Sequence, residues 1–144
     1  MSAIKNQVEK DKYQEYNDFI QQIEIADIRL ISAKVDNYGY VILPQSNKIS
    51  YSSTAWYENR EDFIDVFDKY NVTVRDTENR KRIAKLTVTF CVTYISKIPM
   101  KEDIFDIFID RNLPLNTWPY FREFTHESFA RMGWLGIVAP TFKR

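Results

Sequence analysis

The chain is poor in the residues on which most site chemistry depends. It has three glycines, Gly39, Gly133 and Gly136, with one cysteine and one histidine in 144 residues. Isolated glycines cannot cradle a phosphate, and no Walker loop, GxGxxG, GxSxG or HExxH pattern occurs. His126 alone excludes a multi-histidine metal site, and Cys91 on a distant strand does not make up the number. No metal or cofactor is expected. A single cysteine also allows no internal disulfide, which fits a reducing compartment. No run approaches the roughly 18 consecutive apolar residues of a membrane span. The opening "MSAIKNQVEKDKYQEYND" is mixed in charge and has no apolar centre, unlike a secretory signal. These features read as cytoplasmic, without membrane insertion. Twenty acidic residues balance twenty basic ones, so there is no net field to draw in nucleic acid or a membrane surface.

Aromatic residues are what the chain has in quantity: ten Phe, nine Tyr and three Trp. With 44% apolar residues, a chain of this length can build one real core. Rings beyond the needs of that core would give adhesive concave surface, because a rigid ring contacts a partner at low entropic cost.

Periodicity places the elements. Residues 1–22 read as a helix or a loose arm, with Tyr13, Tyr16, Ile20 and, just beyond, Ile23 at helical spacing. In "IEIADIRLISAKV" (23–35), Ile23 and Ile25 point one way, and Ile28 and Leu30 the other. That slip across Ala26-Asp27 predicts a bulge within one strand. A second strand over 48–58 places Ile49, Tyr51, Ser53, Ala55 and Tyr57 on one side. Residues 83–94 alternate strictly: Ala84, Leu86, Val88, Phe90, Val92 and Tyr94 against Ile83, Lys85, Thr87, Thr89, Cys91 and Thr93. This predicts a long strand with a wet, threonine-rich side. Ile64, Val66, Tyr70, Val72 and Val74 alternate upstream, and "RDTENRK" (75–81) reads as the hairpin turn between them. "KEDIFDIFIDRN" (101–112) reads as a short helix, acidic early and basic late. Its Ile104, Phe105, Ile107, Phe108 and Ile109 exceed one stripe and call for a second burial surface, hence an oligomer interface. A strand over "IFDIFI" is the open alternative. The final helix is read from Asn116 or Thr117 as cap, with Pro119 in its first turn, Glu123 early, Arg131 late and Gly133 as the stop. Strands first and helices last make an α+β fold with an antiparallel sheet, in one domain over 23–144.

Catalysis is the disfavoured reading. A Cys91–His126 pair is conceivable, but Cys91 lies inside a strand, without the cationic setting or helix N-terminus that lowers a thiol pKa. Glu61-Asp62 and Glu102-Asp103 lie at turns or helix starts, where solvation explains them. Arg75, Arg80, Lys81, Arg82 and Lys85 cluster at the hairpin; a solvated turn is the ordinary meaning and a nucleic-acid contact the sharper one, opposed by Asp76 and Glu78. Trp118, Tyr120, Phe121, Phe124, Phe129 and Trp134 exceed one helix face, so some pack on the sheet and others are free to wall a groove.

"PLNTWPYFREFTHESFAR" resembles the signature of the bacterial export chaperone SecB and its SecB-like relatives: a Pro, an aromatic, then Pro-Tyr-x-Arg-Glu. Pro114, Trp118, Pro119, Tyr120, Arg122 and Glu123 stand at the matching places, with Arg131 nine residues after Arg122. "GWLGIVAPTF" (133–142) is similar to a shortened form of the family's ending, and "IRLISAKV" to its first strand. The resemblance implies a four-stranded antiparallel sheet followed by two C-terminal helices, assembled as a dimer of dimers. It implies a non-enzymatic chaperone that holds unfolded client polypeptides in long apolar grooves. Trp118, Phe121, Phe124, Phe129 and Trp134 then belong to core or groove, with Tyr51, Trp56 and Tyr57 as further groove candidates from composition. Ile104, Phe105 and Phe108 become the interface between dimers. The face through which SecB docks the motor SecA is acidic, whereas here it shows Lys85, Thr87, Thr89 and Thr93, which argues against SecA docking. A relative dedicated to one client, such as an antitoxin of a toxin–antitoxin system, is the rival reading. A nucleic-acid-binding or non-chaperone scaffold protein is the lower one.

Overall fold

The computed structural model describes residues 2–40 and 42–134. The element order is α1 (Ser2–Gln22), β1 (Glu24–Asn37), β2 (Asn47–Arg60), β3 (Phe63–Asp76), β4 (Arg82–Ile95), α2 (Glu102–Arg111) and α3 (Leu113–Arg131). The four strands form one antiparallel sheet in the order β1-β4-β3-β2. All three helices lie on one face, which is therefore the inner one.

The slip read in β1 is a bulge between Ile25 and Asp27, and a second follows between Leu30 and Ser32. Each bulge resets the alternation. Together they keep Ile25, Ile28, Leu30, Ala33 and Val35 opposite Tyr94, Val92, Phe90, Val88 and Leu86, all on the inner face. The alternating residues of β3 and β4 form that face, and most are fully buried. The threonine-rich side of β4 departs from expectation: Thr89, Cys91 and Thr93 are buried. β4 is a central strand, so side chains of both neighbours reach across it. Arg29 donates to Thr93 Oγ1 at 3.2 Å, and Thr93 donates to Asp65 Oδ1 at 2.7 Å. Arg60 grips Asp65 through two hydrogen bonds of 2.7 and 3.0 Å, which hold its carboxyl below the usual range against the opposing effect of burial.

The core has two halves. α1 and α2 cover one end of the sheet, where Tyr16 and Phe19 meet Ile104, Phe105 and Phe108 over Val66, Val92 and Tyr94. α3 covers the other, with Phe121, Phe129 and Trp134 over Val72, Val88 and Phe90. Residues 2–22 are thus a helix, docked through its C-terminal half while Ile4 and Val8 stay exposed. Gln22 fastens it, donating to Ser96 Oγ at 2.8 Å and accepting from the Lys97 amide at 3.0 Å. The apolar excess of α2 finds its second surface here. Ile104, Phe105 and Phe108, expected between subunits, are sealed in the chain's own core because α1 supplies the missing wall.

The final helix begins earlier than read. Asn112 ends α2 and starts α3 at once, and Pro114 takes the first-turn position where a missing amide is harmless. Pro119 lies inside α3, and Glu123 falls beyond the first turn. The carbonyl left without a donor belongs to Leu115, on the solvent side, where water can satisfy it. Asn116 and Thr117 do not cap. Asn116 donates to the Tyr94 hydroxyl at 2.6 Å, and Thr117 donates to Asp68 Oδ2 at 2.7 Å while the Tyr70 hydroxyl lies 2.8 Å from its Oγ1. Gly133, at φ +84°, ends the helix as expected, its amide bonding to Ala130 and that of Trp134 to Phe129. Gly136 and most of the 133–142 ending lie outside the described residues.

Two stability outcomes follow from this packing. Phe108→Ala, which empties a fully buried site in the α1–α2 half, should cost about 3–5 kcal/mol in denaturant unfolding. Asp68 is buried and its carboxyl is pushed up from 3.8, chiefly by desolvation. Folding therefore favours its neutral form, and its ionisation costs stability as pH rises through the raised pKa. Asp68→Asn keeps an oxygen for Thr117 and should unfold at higher denaturant than the parent at neutral pH. That gain should vanish below the ordinary carboxyl pKa of 3.8.

Candidate functional site: an aromatic furrow on the inner sheet face

The helices cover β3 and β4 and leave the margins of the sheet partly open. On the β2 side, Tyr51, Tyr70, Trp118 and Phe121 form one aromatic cluster. Tyr70 stacks on Phe121 at 4.2 Å between ring centres, and Tyr51 meets Phe121 edge-on at 6.0 Å. Trp118 lies 6.3 Å from Tyr51, 5.8 Å from Tyr70 and 5.1 Å from Phe121. Phe121 and Tyr70 are buried, while Tyr51 and Trp118 keep part of their surface in water. Two rings form a floor and two form a rim. Burial pushes the Tyr51 hydroxyl up, so it stays a neutral donor at physiological pH.

Beside Trp118 opens a cavity of about 290 Å³, walled by β2, β3 and the α2–α3 junction. Ser53, Ala55, Asp68, Tyr70, Asp110 and Trp118 are among the residues that line it. Desolvation raises the Tyr70 hydroxyl as well. The chain Tyr70–Thr117–Asp68 is therefore a fixed polar seam in an apolar furrow, and it orients the start of α3. Farther along β2, Tyr57 packs on Phe105 at 4.7 Å and its hydroxyl lies 3.3 Å from Glu102 Oε2, extending the ring-lined margin toward α2.

The β1 margin is a second open surface. A cavity of about 540 Å³ lies between β1 and the end of α3, lined by Ala33, Val35, Phe124, Ser128 and Met132 among others. Leu30 and Val35 of the inner face and Ile31 at the bulge are exposed. β1 is also an edge strand, with one side of its backbone unpaired among the described residues.

The eight groove candidates therefore separate. Tyr51, Tyr57 and Trp118 share the β2 furrow, and Phe124 stands at the β1 cavity. Phe121, Phe129 and Trp134 are sealed in the core, although Phe121 supports the rim from beneath. Trp56 is on the outer face, stacked on Phe67 at 5.3 Å. Its neighbour Tyr57 faces inward, because adjacent residues of a strand cannot share a face. Asp68 and Tyr70 carry no local sequence signal of a place in the site. Tyr70 was legible as an inward strand residue, but the partner that makes it part of a site lies 47 positions away in Thr117.

Other chemistry finds little support in the geometry. Burial pushes the Cys91 thiol up, the reverse of an activated nucleophile. His126 is exposed on α3. Among the described residues no cluster of metal-ligating side chains occurs, and no helix is long and apolar enough to cross a membrane.

No family model and no curated protein matches the chain. Among solved structures it is similar to Mycobacterium tuberculosis Rv1957, a SecB-like chaperone in complex with a ChAD peptide from the Rv1956 HigA1 antitoxin. The TM-score is 0.76 at 12% identity, covering 87% of this chain and 94% of that one. A protein of unknown function from Streptococcus agalactiae matches with a TM-score of 0.47 at 12% identity, covering 83% and 98%. One N-terminal helix, a four-stranded antiparallel sheet and two C-terminal helices, superimposing over most of both chains, make this a SecB-like fold.

Proposed function

We propose that the protein is an ATP-independent, SecB-like holdase that binds an extended segment of a non-native client along the aromatic furrow. The observation that carries this reading is the pair of partly buried rings, Tyr51 and Trp118, packed on the buried rings Tyr70 and Phe121. Rings fixed in this way lose little entropy on contact and accept many apolar sequences. Binding then protects the client by mass action: the free unfolded chain is depleted, and aggregation slows with it. No reaction step is required, so the protein acts without catalysis or cofactor, in the cytoplasm.

A dedicated client is the second form of this reading. It is favoured by the antitoxin peptide bound to the solved SecB-like structure. Hand-off to SecA for export has no comparable support, since the outer face carries Lys69, Lys85 and hydroxyl side chains. Self-association belongs to the same proposal, but its surface is β1, with exposed Leu30, Ile31 and Val35 beside an edge unpaired among the described residues, rather than the buried face of α2.

Two measurements test the function and the assembly. In light-scattering assays of chemically unfolded proteins, the parent should slow aggregation at stoichiometric ratio. Trp118→Ala should weaken client binding roughly tenfold or more, as loss of an aromatic anchor does, whereas Trp56→Ala on the opposite face should not. Protection of no client, or equal loss in both variants, would refute the furrow. Protection of one client alone selects the dedicated form. In multi-angle light scattering the parent should be an oligomer, and Leu30→Lys with Val35→Lys should dissociate it; a monomeric parent would remove the β1 interface.

A further inference from the structure

One end of the sheet carries a feature that client holding leaves unused. Lys48 of β2 pairs with Arg75 of β3, and Arg75 pairs with Arg82 of β4. A register shift between Val74 and Arg75 precedes the second pair, and the three exposed cations sit on neighbouring strands at one end of the sheet. Facing Cβ atoms in such pairs are about 4.5–5.5 Å apart, and like charges directly opposite are destabilising. All three side chains are exposed, and among the described residues none forms an ion pair with a carboxylate. Arg75 donates to the Arg80 carbonyl at 3.2 Å, and the Arg82 guanidinium lies 5.8 Å from the centre of the Tyr38 ring. These contacts orient the cations without neutralising them. The nearby Asp76 carboxylate is engaged by its own turn, accepting from the Glu78 amide at 2.9 Å. The cluster ends at an open cavity of about 580 Å³, lined by Tyr38, Gly39, Tyr40, Lys81 and Arg82.

We infer that this cluster and its cavity form a docking surface for a short acidic polypeptide segment that carries an aromatic side chain. The occupant follows from charge and shape. An extended acidic segment presents alternate carboxylates on one side, and each guanidinium can take a carboxylate through two hydrogen bonds. The two tyrosines and the guanidinium at the cavity suit an aromatic neighbour of those acids. A phosphate backbone fits less well. It needs a continuous cationic track, whereas Asp76 beside Arg75 and Glu78 in the following turn interrupt this one, and the whole chain carries no net charge. The partner therefore differs in chemistry and position from an apolar client in the furrow, and both surfaces can be occupied together.

Fluorescence anisotropy with the full chain tests this. One labelled probe is a short peptide of glutamate and aspartate around a single tyrosine, and its counterpart replaces every acid by the amide. The acidic peptide should bind roughly tenfold more tightly than the amide peptide, and Arg75→Gln with Arg82→Gln should erase the difference. The same double variant should keep or raise the melting temperature, since it relieves repulsion, and should protect apolar clients as well as the parent does. Trp118→Ala should leave acidic-peptide binding intact, which separates this surface from the furrow. Equal binding of both peptides overturns the inference. So does a melting temperature lowered by the double variant, or loss of acidic-peptide binding in Trp118→Ala. Binding of a labelled single-stranded oligothymidine in place of the acidic peptide overturns it in favour of nucleic acid.

Discussion

Covering one face of a wide sheet with few helices is the constraint from which the other features descend. Strands lie about 4.8 Å apart, and a helix with its side chains is about 10 Å across. One layer of helix therefore shelters roughly two strands. Here the two are β3 and β4, whose inner residues are almost all buried. The edge strands cannot be sheltered equally, and both margins stay partly open. Along β2 the margin is lined with rings and becomes a furrow; along β1 it carries exposed aliphatic side chains beside a backbone edge that is unpaired among the described residues. One packing limit thus creates two open surfaces of different character.

Legibility in the sequence tracked the range of the forces involved. The long strand over 83–94 and the slip at Ala26-Asp27 are local patterns and appear as read. The wet threonine side of that strand does not, because β4 is flanked by β1 and β3, whose side chains cover it. The stop at Gly133 is local too. The start of α3 was misplaced because the cue at Pro119 competes with Pro114, and only the position of Leu115 on the solvent side shows how an internal proline is tolerated. Long-range features were lost. The excess of apolar residues on α2 correctly demanded a second surface, but nothing local says that α1 supplies it. In the furrow, Tyr51 and Trp118 were visible as aromatic residues, whereas Asp68 and Tyr70 acquire meaning only through Thr117, which the fold brings to them. Composition alone makes Trp56 and Tyr57 equal groove candidates, although strand alternation places them on opposite faces.

A furrow made only of apolar groups would tend to close upon itself, since the force that draws in a client also draws its own walls together. Polar groups therefore matter among its walls: Asp68 lines the cavity although it is itself buried, and desolvation raises its carboxyl. The hydrogen bond from Thr117 fixes it in place, and the Tyr70 hydroxyl, close to Thr117, ties the stacked pair beneath Trp118 to the same seam.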